Sequence, residues 1–225
     1  MKHTKAGAFL LDLLWPNRCD CCLRRIPYDA LICTECAHEL NTLRVSNGDW
    51  QTCNPEVQVP WDGAAAVCKY AGAAKKGILA AKDGRCGFVR FMGTELAAAV
   101  RELLPEQLPD LITWVPVTKR RRLEQGCAHA ERLAKACAET LGIPAAGNLL
   151  AEQSGKIRQH ELPKELRKVY ANRFTHTGVR LDGKTVLLCD DVLTTGSTLI
   201  RCTEQLREAG ADKVYIAVIA YRMRE

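Results

Sequence analysis

Apolar positions along this chain follow two rhythms. In one, they cluster in short continuous runs: Ala64–Tyr70, Leu111–Val117, Val186–Cys189, and the alternating Val214, Ile216 and Val218 within Lys213–Ala220. Runs this short, bounded by turn residues, predict buried strands of the parallel type. A shorter strand is expected near Asn148–Ala151. In the other rhythm, apolar positions recur every three or four residues. Ala71–Lys82, Phe88–Leu104 (closed by Pro105) and 127–141 predict helices, the last with Ala130, Leu133, Ala134, Cys137 and Leu141 on one face. Another starts near Leu199, with Ile200, Cys202 and Leu206 on its face and Gly210 as its cap. Short helical stretches are also expected at 9–15, before Pro16, and around Leu162–Tyr170. Strands alternating with helices predict an α/β domain.

The pattern divides the chain. Residues 1–60 lack the alternation, and 41–60, with Asn47-Gly48 and two prolines, read as linker or loop. An N-terminal unit over 1–60 and a larger domain over 61–225 are expected. A polar stretch from Gln153 to Arg180 interrupts the larger domain, and a loop of that length is more often functional than structural. At 225 residues the chain can bury a sizeable core.

The most informative stretch is Val186–Leu199, VLLCDDVLTTGSTL. A buried strand is followed by Asp190 and Asp191, then by the loop Thr194-Thr195-Gly196-Ser197-Thr198, then by a helix. Backbone N–H groups at a helix start, with the helix dipole, favour an anion such as phosphate. The loop hydroxyls add donors, and Gly196 lets the backbone approach a ligand. Carboxylates at the carboxyl end of a strand accept hydrogen bonds from sugar hydroxyls or approach Mg²⁺. One end thus suits phosphate and the other ribose. Neither a G-x-x-x-x-G-K-[ST] loop nor a G-x-G-x-x-G turn occurs. The alternative is an ordinary strand–turn–helix with a hydroxyl N-cap, which leaves the paired acids unexplained.

A second motif is Cys19-x2-Cys22 with Cys33-x2-Cys36. Four thiolates in two CxxC knuckles can close a tetrahedral Zn²⁺ site with no open position, hence a structural one. Cys21 and His38 are further candidates beside them. Cys68, Cys137, Cys189 and Cys202 lie in apolar runs, where cysteine behaves as a small hydrophobe. No run is long enough to span a membrane, and Asp12 interrupts the apolar start, so neither a membrane span nor a signal peptide is expected. The expectation is a cytoplasmic, reduced protein.

Charge sharpens the picture. Residues 1–60 hold six Lys/Arg against seven Asp/Glu, no footprint for a polyanion. Residues 111–183 hold thirteen against seven, an excess equal to the net +6 of the whole chain. Within them, Lys119-Arg120-Arg121-Arg122 follows the Leu111–Val117 strand, where four cations can meet a polyphosphate. Lys75, Lys76 and Lys82 are expected on a solvated helix face.

VLLCDDVLTTGST resembles the phosphoribosyl-diphosphate (PRPP) loop of type I phosphoribosyltransferases. That resemblance implies a twisted parallel sheet with helices on both faces. It also implies that Asp190 and Asp191 hold the ribose as catalytic acids, and that Thr194, Thr195, Gly196, Ser197 and Thr198 hold the 5′-phosphate. Lys119 and Arg120 would meet the pyrophosphate, Mg²⁺ would accompany PRPP, and the 153–180 stretch would close over the ligand. With the double-CxxC zinc ribbon ahead of it, the whole chain is similar to the ComF family of bacteria. The likeness extends to VPVTKRRR, Gln159, Leu162, Arg167 and Asn172-Arg173-Phe174. It departs at Gln125-Gly126-Cys127-Ala128-His129, where the family shows Arg-Gly-Phe-Asn-Gln. Two functions are implied. One is an enzyme moving phosphoribosyl from Mg–PRPP to an acceptor. The other is a single-stranded DNA-binding protein of DNA uptake and natural competence, with PRPP as ligand or regulator.

Overall fold

The computed structural model describes residues 16–53, 55–117, 129–152 and 174–222. The expected helices at 9–15 and Leu162–Tyr170, the Lys119–Arg122 turn, and positions 125–128, 159, 162, 167, 172 and 173 lie outside them. Helix α1 spans Thr34–Thr42 and α2 Asp49–Cys53; strand β1 (Gly63–Lys69) leads to α3 (Gly72–Lys82) and α4 (Gly87–Leu103). Then follow β2 (Leu111–Trp114), α5 (His129–Leu141), β3 (Leu150–Glu152), β4 (Phe174–His176), β5 (Thr185–Leu193), α6 (Ser197–Glu208) and β6 (Lys213–Tyr221).

Four strands form a parallel sheet in the order β1-β6-β5-β2. Central β5 is hydrogen-bonded on both sides, pairing Leu187 with Tyr215 of β6 and with Ile112 of β2. Its alternate residues serve opposite faces. Leu187 and Cys189 join a core with Phe88, Met92, Leu96 and Leu133 from α4 and α5. Val186 and Leu188 join another with Leu199, Cys202 and Leu206 from α6. A continuous apolar run is what a strand covered on both faces requires. This is the α/β sheet with helices on both faces that the sequence predicts. Burial of Cys68, Cys137, Cys189 and Cys202 is complete, and it pushes the Cys68 and Cys137 thiols up to about 12.

At the crossing of α4 and α5 the backbones meet at Gly93, where an added Cβ would lie 2.4 Å from that of Ala136. β3 and β4 form a separate antiparallel pair, with Glu152 opposite Phe174. β4 is only three residues long and carries no period from which to read it.

The stretch 41–60, expected as linker or loop, carries α2 and is tied to the sheet. The Val45 N–H donates to the Val67 carbonyl and Lys69 N–H to that of Leu43, covering the outer edge of β1. The Glu39 carboxylate of α1 accepts the N–H of Ala73 at 3.1 Å, capping α3. No described helix is long and apolar enough to cross a membrane.

Candidate functional site

Strand β5 runs further than its apolar core suggests. Asp190 pairs with Val218, Val192 with Ala220 and Leu193 with Tyr221, so both acids belong to the end of the strand rather than to a loop after Cys189. The ladder holds their backbone fixed. Asp190 Oδ1 accepts the N–H of Asp191 at 2.9 Å. After Leu193, Thr194 and Thr195 are exposed, and Gly196 turns the chain with φ +77°. Helix α6 starts at Ser197 with no side-chain cap, which leaves its first-turn N–H groups available to an anion. The Thr195 and Ser197 hydroxyls lie 3.2 Å apart at that opening. Ser197 and Thr198 are therefore the first residues of the helix.

Asp190, Asp191 and Thr198 line one cavity of about 230 Å³. Across from them stand Lys82, His129, Glu152 and Phe174, with Val115–Val117 at the end of β2 forming another wall. Burial, then the neighbouring Asp191 charge, pushes the Asp190 carboxyl well above its ordinary value of 3.8. Such a group takes up a proton unless a cation or donors compensate it.

Lys82 supplies a cation. Its Nζ lies 3.4 Å from Asp191 Oδ2. It does not stand on a purely solvated face as its sequence setting suggests, because it ends α3, a helix packed on α1 and α4 rather than lying along the strands. His129, at the end of the segment that departs from the family pattern, begins α5 in the same cavity. Burial lowers its pKa; Asp191 opposes that shift, and Lys82 and Arg132 reinforce it. Phe174 and His129 fall in segments compared with the family pattern, but no sequence signal marks Lys82 or Glu152 as part of the site, and the four meet only through folding.

Cys19, Cys22, Cys33 and Cys36 bring four sulfurs within 4.8 Å of one another; among the described residues Cys21 and His38 are not part of that group. Cys22 and Cys33 are 3.6 Å apart, close to the edge of about 3.8 Å that Zn–S bonds of about 2.3 Å impose on a tetrahedron. Burial raises the Cys19 thiol, but backbone hydrogen bonds from Cys33, Cys22 and Cys21 outweigh it and bring the pKa to about 7. The cluster can hold zinc, as the spacing predicts, and is consistent with the zinc ribbon expected at the N-terminus.

A central parallel strand ending in two acids, followed by a hydroxyl-rich loop at an uncapped helix start, defines the class, and residues 129–225 match the phosphoribosyl transferase domain family. Over this stretch the chain is similar to that family. Among its relatives is DNA utilization protein YhgH. The Escherichia coli K12 protein is 25% identical over 209 residues, covering 88% of this chain and 87% of that one. The Salmonella typhimurium protein is 29% identical over 134 residues, 55% of this chain and 59% of its relative's length. The matched region thus spans under two thirds of that relative. A ribose-phosphate pyrophosphokinase of Pyrococcus furiosus is 37% identical over 84 residues, 37% of this chain and 25% of the other. The glutamine PRPP amidotransferase of B. subtilis, solved with ADP and GMP, aligns with a TM-score of 0.41 at 25% identity, over 57% of this chain and 25% of that one.

Proposed function

We propose that the cavity at the end of β5 binds Mg–PRPP. The observation that carries this reading is that two carboxylates and an uncapped helix N-terminus open onto the same cavity. Asp190 and Asp191 accept hydrogen bonds from the ribose 2′- and 3′-hydroxyls. The first turn of α6 and the hydroxyls of Thr194, Thr195, Ser197 and Thr198 hold the 5′-phosphate. Lys119–Arg122, which follows β2 in the sequence, meets the pyrophosphate. Mg²⁺, when bound, neutralises pyrophosphate charge. The similarity to a ribose-phosphate pyrophosphokinase, whose name specifies this ligand chemistry, supports the reading. Transfer to an acceptor breaks the C1–pyrophosphate bond and leaves positive charge on the sugar, so fixed electrostatics carry the rate. Cys19, Cys22, Cys33 and Cys36 hold a structural zinc.

Calorimetric titration with Mg–PRPP tests the site directly. The parent is expected to bind, and an Asp190→Asn/Asp191→Asn double variant is expected to lose binding. A parent that does not bind overturns the reading. Pyrophosphate release on adding nucleobases then decides turnover.

The relatives named DNA utilization proteins favour a second reading, in which the basic 111–183 region binds single-stranded DNA. Oligonucleotide affinity should then fall steeply with salt, and PRPP should compete.

A further inference from the structure

The loop offered to phosphate rests on two tryptophans from outside the phosphoribosyl transferase match. Trp50 of α2 is only 2% exposed and Trp61 only 7%. Their rings lie 5.7 Å apart and are tilted by 50°. The Trp50 Nε1–H donates to the Thr194 carbonyl at 3.2 Å. An added Cβ at Gly196 would stand 3.2 Å from the Trp61 ring edge, 3.5 Å from that of Trp50, and 3.6 Å from Leu193 Cδ1. The left-handed residue that turns β5 into α6 therefore lies against an indole floor.

We propose that Trp50 and Trp61 are positioning residues of the phosphate loop, so that the N-terminal segment is part of the ligand site. The proposal rests on the PRPP reading and adds to it what makes the loop competent. An anion at the start of α6 needs N–H groups facing it and no carbonyl oxygen beside it. The Trp50 N–H draws the Thr194 carbonyl toward the interior. The paired rings restrict Gly196 to the one conformation that starts α6 immediately after the turn. A glycine hinge without such a floor samples many backbone states, and ligand binding would bear the cost of ordering it.

The floor is itself anchored. Asp49 accepts the Ser46 N–H at 2.8 Å at the start of α2, and the Gln51 side-chain amide donates to the Val57 carbonyl at 3.1 Å. Residues 43–45 are tied to β1 just before it. The ribbon and the phosphate loop are thus connected through a short, hydrogen-bonded segment.

The test separates positioning from stability. Trp50→Phe keeps an aromatic ring but removes the N–H donor together with part of the indole's contact area. Loss of one hydrogen bond is expected to weaken Mg–PRPP binding about fivefold. Gly93→Ala, at the α4–α5 crossing away from the loop, serves as a destabilised control and is expected to bind as the parent does at a temperature where both are folded. Trp61→Phe, which keeps part of the floor, should fall between parent and Trp61→Ala. If the parent binds and Trp50→Phe binds equally well, or if Gly93→Ala loses affinity in proportion to its stability, the positioning role is overturned. If the parent itself binds neither PRPP nor inorganic phosphate, the PRPP reading falls first and takes this one with it.

Discussion

Asp20, the residue after the first knuckle cysteine, accepts the backbone N–H of Phe88 at 2.8 Å. Asp20 is buried, and Phe88 is in the first turn of α4, a helix with no local side-chain cap. The ribbon therefore caps a helix of the larger domain from 68 residues away. Asp20→Ala should cost about 1–2 kcal/mol, since it removes a cap and leaves a buried donor unpaired. Urea denaturation measures this, and an unchanged midpoint would show that the ribbon docks without this contact.

Zinc should stabilise more than the ribbon. Cys33 caps α1 by accepting the Cys36 N–H, and α1 places Glu39 on the N-terminus of α3. Chelation should release one zinc per chain, lower the melting temperature and raise amide exchange at Ala73 and Phe88. Exchange rising in the ribbon alone would mean that the two parts are energetically separate.

Asp190 makes stability depend on pH with a definite sign. Its pKa is raised in the folded state, so between the unfolded value near 3.8 and the raised value the native chain binds a proton that the unfolded chain releases. The resulting stability is fully present below the unfolded value and is lost as pH rises through the folded one. Asp190→Asn should therefore be more stable than the parent at neutral pH, with the gain shrinking to nothing toward pH of about 4. Urea midpoints across that range test it. The same variant should bind Mg–PRPP poorly, a site optimised for ligand at the expense of stability.

Gly93→Ala offers opposite effects of known size. Alanine gains about 1 kcal/mol in helix propensity. Its methyl, however, would meet the Ala136 Cβ at 2.4 Å and force α4 and α5 apart, at a typical cost of 1–3 kcal/mol, about the overpacking range. A net loss in a thermal melt is expected; a gain would mean that the helices can separate freely.

The core strands were legible because a strand buried on both faces must be apolar at nearly every position, as Val186–Cys189 is. The helix faces of α4, α5 and α6 followed from a period of 3.6. The acids, the hydroxyl loop and the four cysteines were legible because each ligand set is contiguous or regularly spaced. Less visible was Lys82, since an exposed lysine at a helix end has the same local pattern whether or not it faces a carboxylate. β4 was missed because three residues carry no period, and its partner β3 is separated from it by 21 residues outside the described structure.

By itself, then, the sequence determined the α/β sheet, the acid–hydroxyl loop of β5 and the cysteine quartet, because periodicity and contiguous motifs are local properties of a chain. Only the tertiary structure decided that Lys82 meets Asp191 and that His129 and Glu152 line the same cavity. It also decided that Trp50, 144 residues before Thr194, holds that carbonyl in place. Contacts of that span depend on how the faces of separate elements pack together, and no local pattern encodes which side chain will lie opposite another.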